Sequence, residues 1–168
     1  MIDVVFPVDF DQVHFAPVIL DVALRYCVGA GVDLGCGDSL FPGAVPVDTG
    51  GFYGAVPGYP TADMRDLSSF PGLDYVFSSH ALEHVPEWGS VLGGSYMALR
   101  PGGVIFLYLP WDEYFATWVP PGAGHVASFS PAVIRRALLR VGFVGLEGCK
   151  DEDGPDVYAS FWVVGRKP

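Results

Sequence analysis

The run GVDLGCGDS at residues 31–39 limits the possible folds of this chain more than any other feature of its sequence. Its first five letters read as a short buried strand that ends in a glycine turn. Gly35 and Gly37 allow the backbone of that turn to approach a ligand closely and to offer it amide groups. The run therefore predicts a ligand-binding loop at the end of a strand.

The acidic residues of this loop restrict the ligand that it can take. The dinucleotide-binding fingerprint GxGxxG is excluded, because Leu40 occupies its third glycine position. A P-loop is excluded as well, since no Gly-Lys dipeptide occurs in the chain. Asp33 and Asp38 would repel a pyrophosphate, whereas a ligand that carries an ammonium and a sulfonium group would be attracted.

Short apolar runs and helical patterns alternate along the rest of the chain, separated by many of its 22 glycines and 15 prolines. This alternation predicts an α/β protein with a mostly parallel sheet, and the last two strands suit an antiparallel closing pair. Further strands are predicted at 44–48, 60–64, 73–79, 104–109, 143–149 and 157–165, and helices at 17–28, 87–99 and 130–140.

The length of the chain limits its number of domains, and its net charge limits the kinds of substrate that it can bind. The chain has 168 residues, which predicts a single domain spanning 1–168. Its net charge of −10 disfavours a nucleic-acid substrate, because nonspecific affinity for phosphate backbones depends on Lys and Arg. The clustered basic residues considered for a local basic patch are Arg135, Arg136 and Arg140.

Three further observations concern the compartment. The three cysteines form no CxxC pattern, as expected in a reducing environment. The first residues lack the basic and apolar regions of a signal peptide. No apolar run approaches the roughly 18 residues of a membrane span. We therefore expect a cytoplasmic protein.

The run VDLGCGDS at residues 32–39 resembles motif I of the class I S-adenosylmethionine (SAM)-dependent methyltransferases, and the resemblance is closest to their type 11 group. Further stretches resemble motifs of the same family in the right order, over roughly residues 25–150. They are Asp48, TADM at 61–64, FSSHALEHV at 77–85, LRPGG at 99–103 and the segment that ends in Gly142-Phe143. The resemblance implies a Rossmann-like class I methyltransferase fold whose last strand is antiparallel.

The resemblance also implies that SAM is the cofactor and assigns the residues that hold it. Asp33 would anchor the methionine part of SAM, although a strand-end acid can also bind nearby loop amides. Gly35, Cys36 and Gly37 would contribute backbone groups, with the cysteine thiol packed inside. Asp48 would accept hydrogen bonds from the ribose hydroxyls, unless it is a simple turn residue.

The adenine end of SAM is assigned less directly. Asp63 would accept the adenine amino group, and Met64 would offer its backbone amide and an apolar surface. Asp66 is the rival of Asp63 for that role, and either acid could instead be solvated. Ser79, in the block after the fourth family strand, is also expected to contact the cofactor.

The chain departs from the family pattern at its first two crossovers. Only residues 38–43 separate the first two predicted strands, and Pro42-Gly43 disfavours a helix there. The next crossover, 49–59, holds five glycines or prolines and also looks non-helical. We therefore expect reduced helices after strands 1 and 2. Residues 3–16 or a second subunit would then cover that side of the sheet.

His80, Glu83 and His84 form an H-x-x-E-H pattern in which both histidines could share one helical face. With His125, these residues could bind a divalent metal ion, as near the E-x-x-E-H block of some metal-dependent O-methyltransferases. Here the first acid of that block is replaced by His80, and many metal-free relatives carry the same L-E-H letters. The metal-free interpretation is therefore favoured, and no residue is assigned as a metal ligand.

Residues 111–128 are expected to form a roof over the carboxyl ends of the strands, where ligands of open α/β sheets bind. The aromatic residues Trp111, Tyr114, Phe115 and Trp118 could stack on an acceptor or fill the core. The candidate proton acceptors are His80, His125 and Asp112, because a base is needed when the acceptor is a hydroxyl.

Together these features predict SAM-dependent methyl transfer to a small-molecule or glycan acceptor, with an oxygen as the target atom. A homodimer is compatible with the thin face of the sheet. Two alternatives stay open: a methyltransferase-like binding or partner subunit without turnover, and a metal-dependent O-methyltransferase.

Overall fold

A computed structural model of the chain describes residues 17–37, 40–50, 61–115 and 124–168. Six strands and four α-helices are assigned within these ranges. The strands are β1 (Gly31–Leu34), β2 (Val45–Val47), β3 (Leu73–Ser79), β4 (Leu99–Pro110), β5 (Val144–Gly148) and β6 (Ser160–Arg166). The helices are α1 (Pro17–Tyr26), α2 (Trp88–Ala98), α3 (Asp112–Phe115) and α4 (Pro131–Val141), with 3-10 turns at Leu82–His84 and Asp151–Asp153.

The strands form one sheet with the order β2-β1-β3-β4-β6-β5. The first four strands in this order are parallel to one another, with Leu34 paired to Val47 on one side and to Ser78 on the other. β6 lies between β4 and β5 and is antiparallel to both. The predicted mostly parallel α/β sheet with an antiparallel last strand is therefore confirmed.

The strand predicted at 60–64 is wrong over residues 61–64, which the structure describes without a strand. The backbone turns here, since the amide of Asp66 donates to the carbonyl of Asp63 over 2.9 Å. The Asp63 side chain reinforces the turn by accepting a hydrogen bond from the Arg65 amide. Such local side-chain bonds to the backbone compete with strand pairing, which the apolar pattern alone does not show.

The prediction of reduced helices after the first two strands is confirmed for the described residues. Segments 35–37 and 40–44, between β1 and β2, contain no helix, and neither do 48–50 and 61–72, between β2 and β3. The expectation that 3–16 covers this side of the sheet lies outside the described residues.

Large aromatic side chains fill the face of the sheet on which α1 packs. Phe41 is fully buried and stacks on Phe77, with ring centroids 4.4 Å apart. Phe77 in turn stacks on Phe106, which stacks on Trp162. The opposite face packs mainly aliphatic side chains beneath α2 and α4. Aromatic rings thus occupy volume that a crossover helix would otherwise cover.

Helix α4 begins and ends where the sequence predicts. Ser130 is its N-cap and accepts a hydrogen bond from the Val133 amide, and Pro131 is the first helical residue. Gly142 ends the helix in the left-handed conformation, with φ of 116°.

All six described strands belong to a single sheet, and the longest described helices have 11 residues. Within the described ranges, no helix has the length and apolar character needed to span a bilayer. That residues 1–168 form one domain stays a prediction.

Candidate active site

The carboxyl ends of four parallel strands meet at one edge of the sheet and define the candidate site. Gly35, Asp48, His80 and Trp111 are the first residues after β1, β2, β3 and β4. Ser79, the last residue of β3, is buried at the same edge. Because ligands of open α/β sheets bind beyond this edge, the fold brings most of the predicted site residues to one place.

The glycine loop is held tightly between β2 and the segment after β3. The Gly35 amide donates to the carbonyl of Val47 over 2.9 Å. Gly35 and Gly37 both have positive φ, 70° and 56°. A Cβ atom added at Gly35 would lie 2.4 Å from Cβ of Ala81 and 3.0 Å from Cε of Met64. Glycine is therefore required at position 35 by conformation and by space.

Cys36 lies between these glycines with its thiol buried. Burial raises the pKa of that thiol to about 12, so it stays protonated at neutral pH. The packing agrees with the prediction that this residue offers only backbone groups to a ligand.

Asp33 is buried at 2% exposure, and its Oδ2 accepts a hydrogen bond from the Phe41 amide over 2.7 Å. Burial raises the pKa of this carboxyl from 3.8 to about 7, and the nearby charge of Asp48 raises it further, while the Phe41 amide opposes the shift. In the described structure Asp33 thus binds a loop amide, which is the alternative that the sequence left open. Its contact with the methionine part of SAM stays a prediction.

The raised pKa of Asp33 predicts a pH effect on stability. Between about pH 4 and pH 7 the folded protein keeps a proton that the unfolded chain has already lost, so the free energy of unfolding falls as pH rises through this window. In Asp33→Asn this contribution is absent, and the Asn side-chain oxygen can still accept from Phe41. Urea unfolding at pH 5, 6, 7 and 8 should therefore give a steeper loss of stability for the wild type, by a few kcal/mol in total. Parallel pH curves would contradict the prediction.

Asp48 joins the glycine loop to the loop after β2. Its Oδ2 accepts a hydrogen bond from the Gly37 amide over 2.9 Å, and its Oδ1 accepts one from the Gly50 amide over 2.7 Å. The carboxylate therefore lies at the end of β2, as predicted, and is oriented by backbone groups. Contact with the ribose hydroxyls stays a prediction.

Three residues are candidates for contact with the adenine of SAM, and their surroundings differ. Asp63 binds the Arg65 guanidinium through both carboxylate oxygens, and this hydrogen bonding lowers the pKa of Asp63. Asp66 caps the Ser68 amide over 3.0 Å. Met64 is partly buried, with its methyl group next to Gly35. Met64 thus borders the glycine loop, whereas an adenine amino group would compete with Arg65 for Asp63.

His80 follows β3 in a left-handed conformation, with φ of 48°, and its ring packs edge-on against Tyr108. Its Nε2 lies 3.0 Å from Oγ of Ser160, and that hydroxyl donates its proton to the carbonyl of Tyr158. With that hydroxyl proton directed to Tyr158, the Ser160 oxygen accepts from His80, and the matching tautomer of His80 has its proton on Nε2 and its lone pair on Nδ1.

A second layer of residues holds Ser160 in place. The Tyr108 hydroxyl donates to Oδ2 of Asp156 over 2.7 Å, and Oδ1 of Asp156 accepts from the amides of Tyr158 and Ser160. Sequence reasoning missed this network, because Ser160 and His80 are 80 residues apart and β6 carries no motif.

Glu83 is buried at 1% exposure, and among the described residues none donates a hydrogen bond to its carboxylate oxygens. Its Oε1 lies 3.6 Å from Nδ1 of His80 and 3.9 Å from Nε2 of His84. Burial raises the pKa of this carboxyl to about 7. Burial of a carboxyl group that accepts no hydrogen bond costs free energy of folding. This carboxyl group lies next to His80, a candidate base.

The segment 124–129 brings the remaining candidates to Glu83. The amides of Val126 and Ala127 donate to the Glu83 carbonyl. His125 Nδ1 is 3.4 Å from Oδ1 of Asp112, which raises the pKa of this histidine, whereas burial lowers that of His84. One potential ligand atom from each of Glu83, His84 and His125 lies within 4.8 Å of the others.

The aromatic residues predicted above the site separate into different environments. Trp111 is buried and packs edge-on against Phe161, so it fills the core, the second of the two roles considered. Tyr114 is exposed and packs against Trp111. Residues 116–123, with Trp118, lie outside the described residues, as does the side chain of Phe115.

Comparison with known proteins identifies the fold and supports a family. Residues 47–107 match the family model described as a methyltransferase domain. The matched segment holds the predicted block from Asp48 to His80 and continues into β4. This match and the fold support a class I SAM-dependent methyltransferase, and with it an enzyme that uses SAM as its cofactor. No curated protein matches the chain.

Solved structures share the fold at low sequence identity. A SAM-dependent methyltransferase from Archaeoglobus fulgidus is 17% identical with a TM-score of 0.68, and the match covers 91% of this chain and 93% of that one. The N-methyltransferase NodS from Bradyrhizobium japonicum, in complex with S-adenosylhomocysteine (SAH), is 15% identical with a TM-score of 0.67 and coverage of 99% and 95%. A chain of the complex between the Haloferax volcanii Trm112 methyltransferase activator and a methyltransferase is 18% identical, with a TM-score of 0.70 and coverage of 94% and 91%.

Proposed function

We propose that this methyltransferase transfers the methyl group of SAM to a hydroxyl oxygen of a small-molecule or glycan acceptor. SAM is already activated as a sulfonium, so the protein must mainly align the acceptor oxygen, the methyl carbon and the sulfur and exclude water. An oxygen acceptor adds one requirement, which is a place for the hydroxyl proton.

The residues at the edge of the sheet fit SAM. The glycine loop lies at this edge and has no room for a Cβ at Gly35, so its bare backbone can approach a ligand closely. Asp33 supplies a buried carboxyl for the ammonium group, and Asp48 supplies a carboxylate at the end of β2 for the ribose. We assign the adenine end to Met64 and Asp63, and we include Ser79 and the backbone of Cys36 in the cofactor site.

The position and orientation of His80 carry the proposal of oxygen as the target. In this proposal Ser160 accepts a hydrogen bond from Nε2 of His80. The lone pair of His80 is then on Nδ1, where it can accept the hydroxyl proton. SAM, when bound, would supply the methyl group and retain the electron pair on its sulfur, and Nδ1 of His80 would take the proton of the acceptor hydroxyl. Buried Glu83, 3.6 Å from that nitrogen, favours the resulting imidazolium.

His125 and Asp112 take supporting roles in this mechanism. Asp112 uses Oδ2 to accept the Phe129 amide over 2.6 Å and lies beside His125 with Oδ1, so it orients the segment that follows it. His125 contacts the ring of His84, with centroids 5.0 Å apart, and its Nδ1 faces Asp112. We therefore rank His80 first among the three predicted catalytic residues.

The acceptor class rests on charge. A net charge of −10 disfavours binding of nucleic acids, whose phosphates carry the same sign. A small molecule or a glycan with an accessible hydroxyl meets no such repulsion.

The test is production of SAH with matched acceptors. Phenols, catechols and sugars would be incubated with SAM beside the amines of the same carbon skeleton, and SAH and methylated product would be measured by mass spectrometry. We expect products from hydroxyl compounds only. Methylation of the amines alone would overturn the oxygen assignment. Binding of SAH without turnover on any acceptor would favour the non-catalytic partner subunit.

The predicted homodimer and cytoplasmic location also remain proposals. Light scattering coupled to size-exclusion chromatography measures the first, and fractionation of source cells measures the second.

A further inference from the structure

Glu83 presents a buried carboxylate that accepts no hydrogen bond from the residues that the structure describes. It is 1% exposed. Such a group costs free energy in the folded state unless a cation or a donor compensates it. Ring nitrogens of His80 and His84 lie 3.6 and 3.9 Å from its Oε1, beyond hydrogen-bond distance, which points to a shared ligand.

The rings of His84 and His125 are oriented in the way that metal-binding histidines require. His84 Nδ1 is hydrogen-bonded to the carbonyl of Gly124 over 3.1 Å, so this nitrogen carries the proton and the lone pair is on Nε2. His125 Nδ1 is bonded to Asp112, which assigns the lone pair of that ring to Nε2 as well. A backbone carbonyl on one histidine and a carboxylate on the other are the usual outer partners of metal ligands.

We propose that Glu83, His84 and His125 bind one divalent transition-metal ion, with Asp112 and the Gly124 carbonyl as outer partners that orient the two rings. Two neutral imidazoles and one carboxylate suit zinc and neighbouring metals, and three protein ligands leave a position open for a further oxygen. The open position can take an acceptor hydroxyl beside His80, a role that rests on the proposed function. Metal binding itself does not depend on it.

The spacing of the donor atoms is compatible with such an ion. The three atoms lie within 4.8 Å of one another, whereas ligands on bonds of about 2.0–2.2 Å in a tetrahedral site lie roughly 3.3 Å apart. His84 is partly exposed and directly follows Glu83 in the chain, so rotation of the side chains can close the difference. Attraction between the ion and the carboxylate favours that closure.

The primary experiment titrates untagged, chelator-treated protein with Co²⁺ and Zn²⁺. Visible absorption of Co²⁺ reports the coordination, and calorimetry with Zn²⁺ gives stoichiometry and affinity. We expect one ion per chain. Glu83→Gln and His84→Ala should weaken binding by at least about 100-fold, and Asp112→Asn by about 10- to 100-fold. Glu113→Gln makes the same chemical change as Glu83→Gln at an exposed position and should bind like the wild type.

The outcomes separate this inference from the proposed function. SAH binding, measured on each variant, reports whether the protein is folded and whether the cofactor site is intact. SAH binding without metal binding would overturn the metal site and leave methyl transfer in place. Metal affinity that is unchanged in both Glu83→Gln and His84→Ala would place the ion elsewhere and also overturn the inference. Metal binding that follows the predicted ranking supports it, even if no acceptor is methylated.

Discussion

Gly35→Ala should lower the affinity for SAH by at least about 100-fold, equivalent to about 2.7 kcal/mol. The new Cβ would lie 2.4 Å from Cβ of Ala81, a distance that such atoms do not tolerate. Ala81 leads directly into the buried residues Leu82 and Glu83, so it cannot retreat without moving the core. Met64 also meets the new atom, but its methyl group is the end of a flexible side chain. The backbone of the glycine loop must therefore shift, and the surface that it offers to the cofactor changes shape.

Gly72→Ala is the matched control for this substitution. Gly72 has φ of 78°, close to the value at Gly35, but a Cβ there would meet nothing within 4 Å. The control therefore measures the cost of the left-handed conformation alone, about 1–2 kcal/mol of folding stability. Calorimetric titration with SAH at a temperature where both variants are folded makes the comparison. Wild-type affinity in Gly35→Ala would show that this loop does not hold the cofactor.

His80→Asn should lower kcat by about 10²- to 10⁴-fold on a hydroxyl acceptor, the range expected for loss of a general base. Asparagine suits this position because it tolerates positive φ, and His80 has φ of 48°. It keeps a polar side chain next to Ser160 but offers no group that takes up a proton near neutral pH. Affinity for SAH should stay within about 3-fold of the wild type, since the role assigned to His80 concerns the acceptor.

Two readouts distinguish a base from a merely structural residue. In the wild type kcat should rise with pH as the imidazole loses its proton, and this rise should disappear in His80→Asn. Ser160→Ala keeps His80 but removes the partner that fixes its proton on Nε2, so it should lower kcat less than His80→Asn and retain the rise with pH. An unchanged kcat in His80→Asn would remove His80 from the mechanism and direct attention to His125.

Much of the candidate site at the edge of the sheet could be predicted from the sequence, because its signals are local. The turn after β1 needs glycines at positions 35 and 37, and the letters show them directly. Asp48 and Ser79 follow or end predicted strands, and parallel strands bring such residues to one edge whatever the details of packing. The strand at 60–64 was predicted wrongly over 61–64, because the hydrogen bonds of Asp63 favour a turn there.

The contacts around His80 and Glu83 could be predicted less completely, because they join segments that lie far apart in the sequence. His84 meets Gly124 across 40 residues, and Ser160 meets His80 across 80. The pattern H-x-x-E-H suggested neighbouring histidines on one helix face. The structure instead places a short 3-10 turn at 82–84 and brings His125 to Glu83 through backbone hydrogen bonds.

The sequence by itself determined the alternation of strands and helices, the glycine loop and the acids at the strand ends, since short-range apolar patterns and turn chemistry specify these features. Only the tertiary structure decided which acids of the chain lie out of water. Asp33 and Glu83 are both buried: the Phe41 amide donates to Asp33, whereas no described residue donates a hydrogen bond to the Glu83 carboxylate. Burial depends on segments that pack from elsewhere in the chain, and the free energy of ionising a carboxyl depends on that burial.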